Sequence, residues 1–254
     1  TSVNVLGIPN VADSFHAIRR LVFEKRRYSL AELVAALDTN WSGQEPMRQE
    51  FLNEAKFGND ADEVDAVFVR VTESVARTFA GMVNQRGLEF RASLYSFNFH
   101  INPNRPGAMS VPGLEFGATA DGRLAEENLA QGINPQLGRS TRGLLPTANS
   151  QAKVDHRKFQ GGSLQVDLQP RFFDGDDGTA DYVRGFSSTF FRKGGMQINL
   201  NIMDVDALRD AIIHPERPEY QDIVIRVTGY ASRFITLNRS YQEDFVARLC
   251  GGNS

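Results

Sequence analysis

The sequence holds one cysteine, one tryptophan and four histidines in 254 residues. A single cysteine excludes an internal disulfide and any cysteine-rich zinc site. No apolar run approaches the roughly 18 residues that a membrane-spanning helix needs, and no signal peptide is recognisable, so a soluble protein of a reducing compartment is expected. Neither sign of charge dominates. The 28 Lys+Arg stand against 31 Asp+Glu, a net charge of −3, which leaves no electrostatic footprint for nucleic acid or an anionic membrane. An initiator methionine is also missing: the chain begins Thr1-Ser2-Val3, and a processed or cropped product is expected. His16, His100, His156 and His214 form no His-x-x-x-His pair, and no Gly-x-Ser-x-Gly elbow is present, so no hydrolase constellation emerges.

What is present suits a packed core. Hydrophobic residues make up 41% and charged residues 23%, and a compact chain of this length buries roughly 70–75% of its unfolded surface. Phe15, Ile18, Leu21, Val22 and Phe23 recur at helical spacing and lead into Lys25-Arg26-Arg27, basic residues that suit a helix C-terminus. Ser29 and Glu32 form a capping box for a second helix through Leu37. A stripe from Val64 to Met82 predicts a long helix over 61–85. The period then becomes two: Leu94, Ser96, Asn98 and His100 alternate with Tyr95, Phe97, Phe99 and Ile101, a strand whose polar face looks into a cavity or into water. Residues 102–160 show little periodicity and are expected to be a long functional or wrapping loop region. Strands are predicted at 163–168, 196–202 and 223–227, and helices at 180–192, 205–213 and 241–248.

Several chemical candidates read as ordinary structure. Asp174, Asp176 and Asp177 lack the later glutamate of a calcium loop and are expected in a solvated turn. Cys250 has neither a positioned base nor a helix N-terminus beside it and reads as a bystander thiol. His16 reads as surface or core filler, and His100 sits on the polar side of its strand.

The distinctive segment is Arg226-Val227-Thr228-Gly229-Tyr230, in which an apolar strand runs into a single glycine. It resembles the C-terminal fingerprint of the glycyl radical enzymes related to pyruvate formate-lyase, with Thr228 where Ser, Ala or Cys is commoner. The likeness extends to Gly194-Gly195-Met196-Gln197-Ile198-Asn199, to Leu208-Arg209-Asp210, and to Pro215-Glu216 through Tyr220-Gln221-Asp222. Asp121-Gly122-Arg123 with Ala130-Gln131-Gly132-Ile133-Asn134-Pro135, Gly7 to Ser14, and Phe57-Gly58-Asn59-Asp60 make it nearly end to end.

The resemblance implies that Gly229 stores a radical, with Arg226, Val227, Thr228 and Tyr230 supporting its loop. A Cα radical is planar, and glycine has no Cβ to crowd it. The radical would be installed by a separate activating enzyme that uses S-adenosylmethionine and an iron–sulfur cluster, with no bound metal or organic cofactor in this chain. Oxygen would destroy it, which implies an anaerobic cytoplasm. Family members pass the radical to an upstream cysteine, and Cys250 follows Gly229 instead. The resemblance therefore implies a radical-bearing subunit or fragment, inactive without a larger partner that carries the cysteine loop. The implied fold is α/β, part of a ten-stranded barrel completed by that partner. Residues 1–160 would contribute barrel, helices and long loops, and residues 161–254 the radical domain. A lyase, dehydratase or decarboxylase acting on a small substrate is expected. The alternatives are a fumarate-adding synthase of the same family and a non-catalytic spare part that restores an oxygen-damaged enzyme.

Overall fold

The computed structural model describes residues 1–94, 100–101, 109–110, 116–226 and 231–251. Most of the strand expected at 94–101 lies outside these residues, as do Val227, Thr228, Gly229 and Tyr230.

The N-terminal part is helical apart from two strands. Strand β1 (Ser2–Asn4) precedes α1 (Ile8–Ile18), α2 (Leu30–Asp38), α3 (Glu45–Asn53) and α4 (Asp62–Phe79), and β2 (Arg91–Ser93) follows. Helix α1 passes into a wider π-helical turn at Arg19–Glu24. Leu21 and Val22 are buried there, while Phe15 and Phe23, expected on the same stripe, are more than half exposed. The Ser29–Glu32 capping box forms as read, in both directions. Helix α4 ends six residues before the predicted stop. Gly81 adopts a left-handed conformation (φ 77°) just past its end, a common way to terminate a helix. Its buried stripe, Val64, Val67 and Phe68, packs on Ile8 and Ala12 of α1 and on Ala92 and Leu94. The Phe57 and Phe68 rings stack with centroids 3.7 Å apart.

Two short strands, β3 (His100–Ile101) and β4 (Met109–Ser110), pair antiparallel. Helix α5 (Leu144–Ala152) lies inside the region expected to be irregular. Its buried positions are Thr147, Ala148, Ser150 and Gln151, so it carries no apolar stripe for a periodicity argument to detect.

The remaining elements are β5 (Ser163–Leu168), α6 (Gly175–Arg192), β6 (Gln197–Ile202), α7 (Val205–Ile213), β7 (Val224–Arg226), β8 (Ala231–Arg233) and α8 (Arg239–Gly251). Helix α6 starts earlier than predicted. Asp176 and Asp177, expected in a turn, occupy its first helical turn, where carboxylates favour the positive end of the helix dipole.

Four of the strands, β1, β2, β5 and β6, form one arc. β1 runs parallel to β2. Leu94, just after β2, forms a parallel bridge to Gly162, just before β5. Hydrogen bonds from Leu94 N to Gly161 O (2.7 Å) and from Gln160 N to Ala92 O (2.9 Å) stitch the two segments. β5 then pairs in parallel with β6 over six residues. The spatial order β1-β2-β5-β6 is all parallel, with helices between successive strands, as expected of an α/β barrel.

On the helix side of β5 and β6, Leu164, Val166 and Leu168 meet Phe186 and Phe190 of α6 and Ala148 of α5. A second core joins α7, β7 and α8 through Leu208, Ile225, Phe234, Tyr241 and Phe245. Among the described residues, no helix is long and apolar enough to cross a membrane.

Replacing Phe68 by Ala is expected to lower the unfolding free energy by about 3–5 kcal/mol. Replacing Phe15, which is 56% exposed, should cost less than about 0.5 kcal/mol. Denaturant unfolding followed by circular dichroism checks the contrast.

Candidate functional site

The face of β5 and β6 turned away from the helices is polar. Register places Ser163 beside Gln197, Gln165 beside Asn199 and Asp167 beside Asn201. Ser163, Asn199 and Asn201 are all buried, as expected for polar residues that face a barrel interior. Asn199 Nδ2 donates to Ser163 Oγ (3.3 Å), and Gln197 Nε2 donates to Asn199 Oδ1 (3.3 Å). The Nε2 of Gln165 is shielded from solvent and has no hydrogen-bond partner among the described residues.

Asn201 connects this face to the strand that precedes Gly229. Its Oδ1 accepts from Arg226 N (2.7 Å), and its Nδ2 donates to Arg226 O (3.1 Å) and to Asp167 Oδ1 (2.8 Å). The Arg226 side chain itself is exposed, so these bonds grip its backbone. Next to it, Ile225 is completely buried in the α7–α8 core. Beside the other edge of β5, Asn134 makes a similar grip. Its Nδ2 donates to Ser163 O (3.1 Å), and its Oδ1 accepts from Gln165 N (2.8 Å).

The other sequence motifs converge on one buried polar knot. Asn10 Nδ2 donates to Asp121 Oδ2 (2.7 Å) and Gln136 Oε1 (2.5 Å), while Asn10 Oδ1 accepts from Ala130 N (2.8 Å). Asp13 Oδ1 accepts from Phe57 N (2.8 Å). Asn59 Oδ1 accepts from Thr141 N (2.8 Å), and Asn59 Nδ2 donates to Arg139 O (2.8 Å). Gly58 lies against Pro135, where any Cβ would collide, and has φ 93°. Arg123 is fully buried and donates to the carbonyls of Gly117, Leu124 and Glu127 at 2.7–2.8 Å. Burial pushes the Asp13 carboxyl up to about 8, against the Phe57 N–H bond and the Lys56 charge, which both pull it down. Burial likewise lowers the Lys56 ammonium; its Nζ donates to Phe51 O (2.7 Å) and Glu54 O (2.9 Å).

Among the isolated candidates, His16 and Cys250 stay apart from the polar face. His16 is buried in α1, and burial lowers its pKa. The His100 side chain is outside the described residues. Cys250 is half-buried on α8, where Arg209 Nη2 donates to its Sγ (3.1 Å). Among the described residues, one acid cluster is tight enough for a metal ion: Asp60, Asp62 and Asp65. The Lys153 ammonium already stands among these carboxylates at 2.6–2.8 Å. Burial opposes its charge, but the three carboxylate hydrogen bonds outweigh that and raise its pKa. Asn201, Asp167 and Asn10 were missed as interaction centres in the sequence. Period-two patterning marked Asn201 as polar, but no local signal specifies a grip on a strand 25 residues away.

The folded chain retains the Asp13 proton up to about pH 8, whereas an unfolded aspartate loses it near pH 4. Between those values the folded state binds the extra proton, so the contribution of Asp13 to stability falls as pH rises. Asp13→Asn keeps an acceptor for Phe57 N and removes the titration. Its melting temperature relative to wild type should therefore rise between pH 5 and pH 8, as thermal unfolding across that range would report.

Two family models match the chain, Pyruvate formate lyase-like over residues 1–102 and Glycine radical over residues 129–235. The trans-4-hydroxy-L-proline dehydratase of Clostridioides difficile is 30% identical over 244 residues, covering 96% of this chain and 29% of that protein. The (2S)-3-sulfopropanediol dehydratase of Klebsiella oxytoca is 32% identical over 249 residues, covering 95% and 29%. The solved structure of the B12-independent glycerol dehydratase from Clostridium butyricum, in its glycerol-bound form, superposes with a TM-score of 0.84 at 30% identity, over 97% of this chain and 30% of that one. The chain thus spans less than a third of the length of these relatives. With both models matched and a parallel arc that superposes on such a barrel, the chain belongs to the glycyl radical enzyme family and has the fold of part of that family's barrel.

Proposed function

We propose that this chain is the radical-storing portion of a glycyl radical enzyme of the lyase branch, with Gly229 as the radical site. The observation that carries the reading is the attachment of β7, the strand leading to Gly229, to the polar buried face of β5 and β6 through Asn201. Arg226, Val227, Thr228 and Tyr230 support the loop in this reading. Residues 1–160 supply barrel and helices, and residues 161–254 form the radical domain.

The reaction partner of Gly229 is a cysteine outside these 254 residues, on a larger subunit. Cys250, the one cysteine of the chain, follows Gly229 in sequence and packs on α8 beside Arg209. In the exchange, the thiol S–H breaks, a Cα–H bond forms at Gly229, and the unpaired electron moves to sulfur. The thiyl then takes a hydrogen atom from the substrate, which restores the thiol and leaves a substrate radical poised for elimination. A radical S-adenosylmethionine activating enzyme installs the first radical, and oxygen destroys it, so the setting is an anaerobic cytoplasm.

A small hydroxylated substrate suits the polar face. The buried Gln165 Nε2 lacks a partner among the described residues, and a buried donor is costly unless something accepts from it. The dehydratases described above support the lyase branch over a synthase or a spare part.

The test is anaerobic electron paramagnetic resonance on this chain with its cysteine-bearing partner, after treatment with the activating enzyme and S-adenosylmethionine. A doublet from one α-hydrogen is expected, and it should be lost in Gly229→Ala and on exposure to air. Cys250→Ser should leave signal and turnover unchanged. A signal that persists in Gly229→Ala, or none with a competent activating enzyme and bound partner, overturns the reading.

A further inference from the structure

We propose that Asn201 is the positioning residue of the radical loop, its amide oriented jointly by Arg226 and Asp167; this rests on the assignment of the radical to Gly229. An amide side chain carries a peptide-like donor and acceptor. Asn201 uses both on one residue, accepting from Arg226 N and donating to Arg226 O. Its second donor hydrogen goes to the Asp167 carboxylate at 2.8 Å. A flipped amide would set oxygen against the Arg226 carbonyl and the Asp167 carboxylate, and NH₂ against the Arg226 N–H. All three contacts select the observed orientation.

The grip matters because β7 is short. It comprises three residues and pairs with β8. Ile225 anchors it on one side through its buried side chain, and Asn201 anchors Arg226 on the other through the backbone. Gly229 follows Arg226 by only three residues in the sequence. A shift at Arg226 therefore passes into the loop with little chain to absorb it. Hydrogen exchange with a partner cysteine requires the Gly229 Cα to stand at a set distance from sulfur. Asn201 touches neither reacting atom, so its action is on placement.

The experiment uses the assembled enzyme with Asn201→Leu, Asn201→Asp and Asp167→Asn. Leucine removes both bonds to Arg226. Aspartate retains an acceptor for Arg226 N but loses the donor and adds a second carboxylate beside Asp167. Asp167→Asn keeps an acceptor for Asn201 Nδ2 and serves as the conservative control. The expected result is a glycyl doublet of near wild-type intensity in all three. Turnover per radical should fall about 100-fold, the scale of a misplacement of about 1 Å, in both Asn201 variants, with KM little changed. Asp167→Asn should remain within about threefold of wild type.

A role confined to stability would instead reduce radical yield and melting temperature together and leave turnover per radical intact, and that outcome overturns the proposal. Amide hydrogen exchange supplies a readout independent of the radical. The Arg226 N–H should be protected in wild type and exchange faster in Asn201→Leu; equal protection in both overturns the grip itself. A wild-type enzyme without any doublet overturns the radical assignment, and with it the positioning role, while the exchange result still reports on the grip.

Discussion

Buried peptide groups need hydrogen-bond partners, and where strands and loops leave them open this protein supplies asparagine side chains. Asn201 satisfies both backbone groups of Arg226, and Asn134 takes Ser163 O and Gln165 N at the edge of β5. Asn10 and Asn59 do the same for loop amides at Ala130 and Thr141. Asn201, Asn134 and Asn59 each replace a missing strand or turn neighbour with the same donor and acceptor, and Asn10 supplies the acceptor alone. Without them, the arc would abut irregular chain through unpaired backbone groups, each costing about 1–3 kcal/mol.

The same constraint explains the polar knot beneath the helices. Motifs at residues 7–14, 57–60, 121–123 and 130–136 meet there, and almost every contact joins a side chain to a distant backbone atom or another motif. Asp13 is stranded among such contacts, so burial holds its proton to an unusually high pH. Lys153 shows the opposite resolution, since three carboxylates surround its ammonium and hold the charge in place. The two cases differ in water access. Asp62 is almost fully exposed, whereas Asp13 is sealed.

The polar and apolar faces of β5 and β6 separate two tasks. Leu164, Val166 and Leu168 attach the sheet to α6, where burial of each large apolar side chain contributes about 1.5–3 kcal/mol. Ser163, Asn199 and Asn201 look the other way and are buried. In the proposed function, buried donors and acceptors on this face hold the chain in a fixed position. The proposed role of Asn201 grows from that arrangement.

Local pattern alone determined much of the chain. The Ser29–Glu32 cap, the stripe of α4, the strands 163–168 and 197–202 and helix 205–213 follow from spacing that acts within a few residues. The fingerprint around Gly229 carried the family resemblance, which the two model matches bear out. Tertiary structure alone decided what local pattern does not encode. Helix α5 buries small and polar residues against the rest of the chain, so no apolar period announces it. Phe15 and Phe23 share the helical spacing of Leu21, yet both are exposed: Phe15 shares the outer face of α1 with Val11, and Phe23 lies in the wider turn at Arg19–Glu24. The parallel order β1-β2-β5-β6 depends on pairings between residues 34 to 89 positions apart. The grip of Asn201 on Arg226 is of the same kind: an asparagine on a strand reads only as polar, and its partner is chosen when the fold brings β7 alongside.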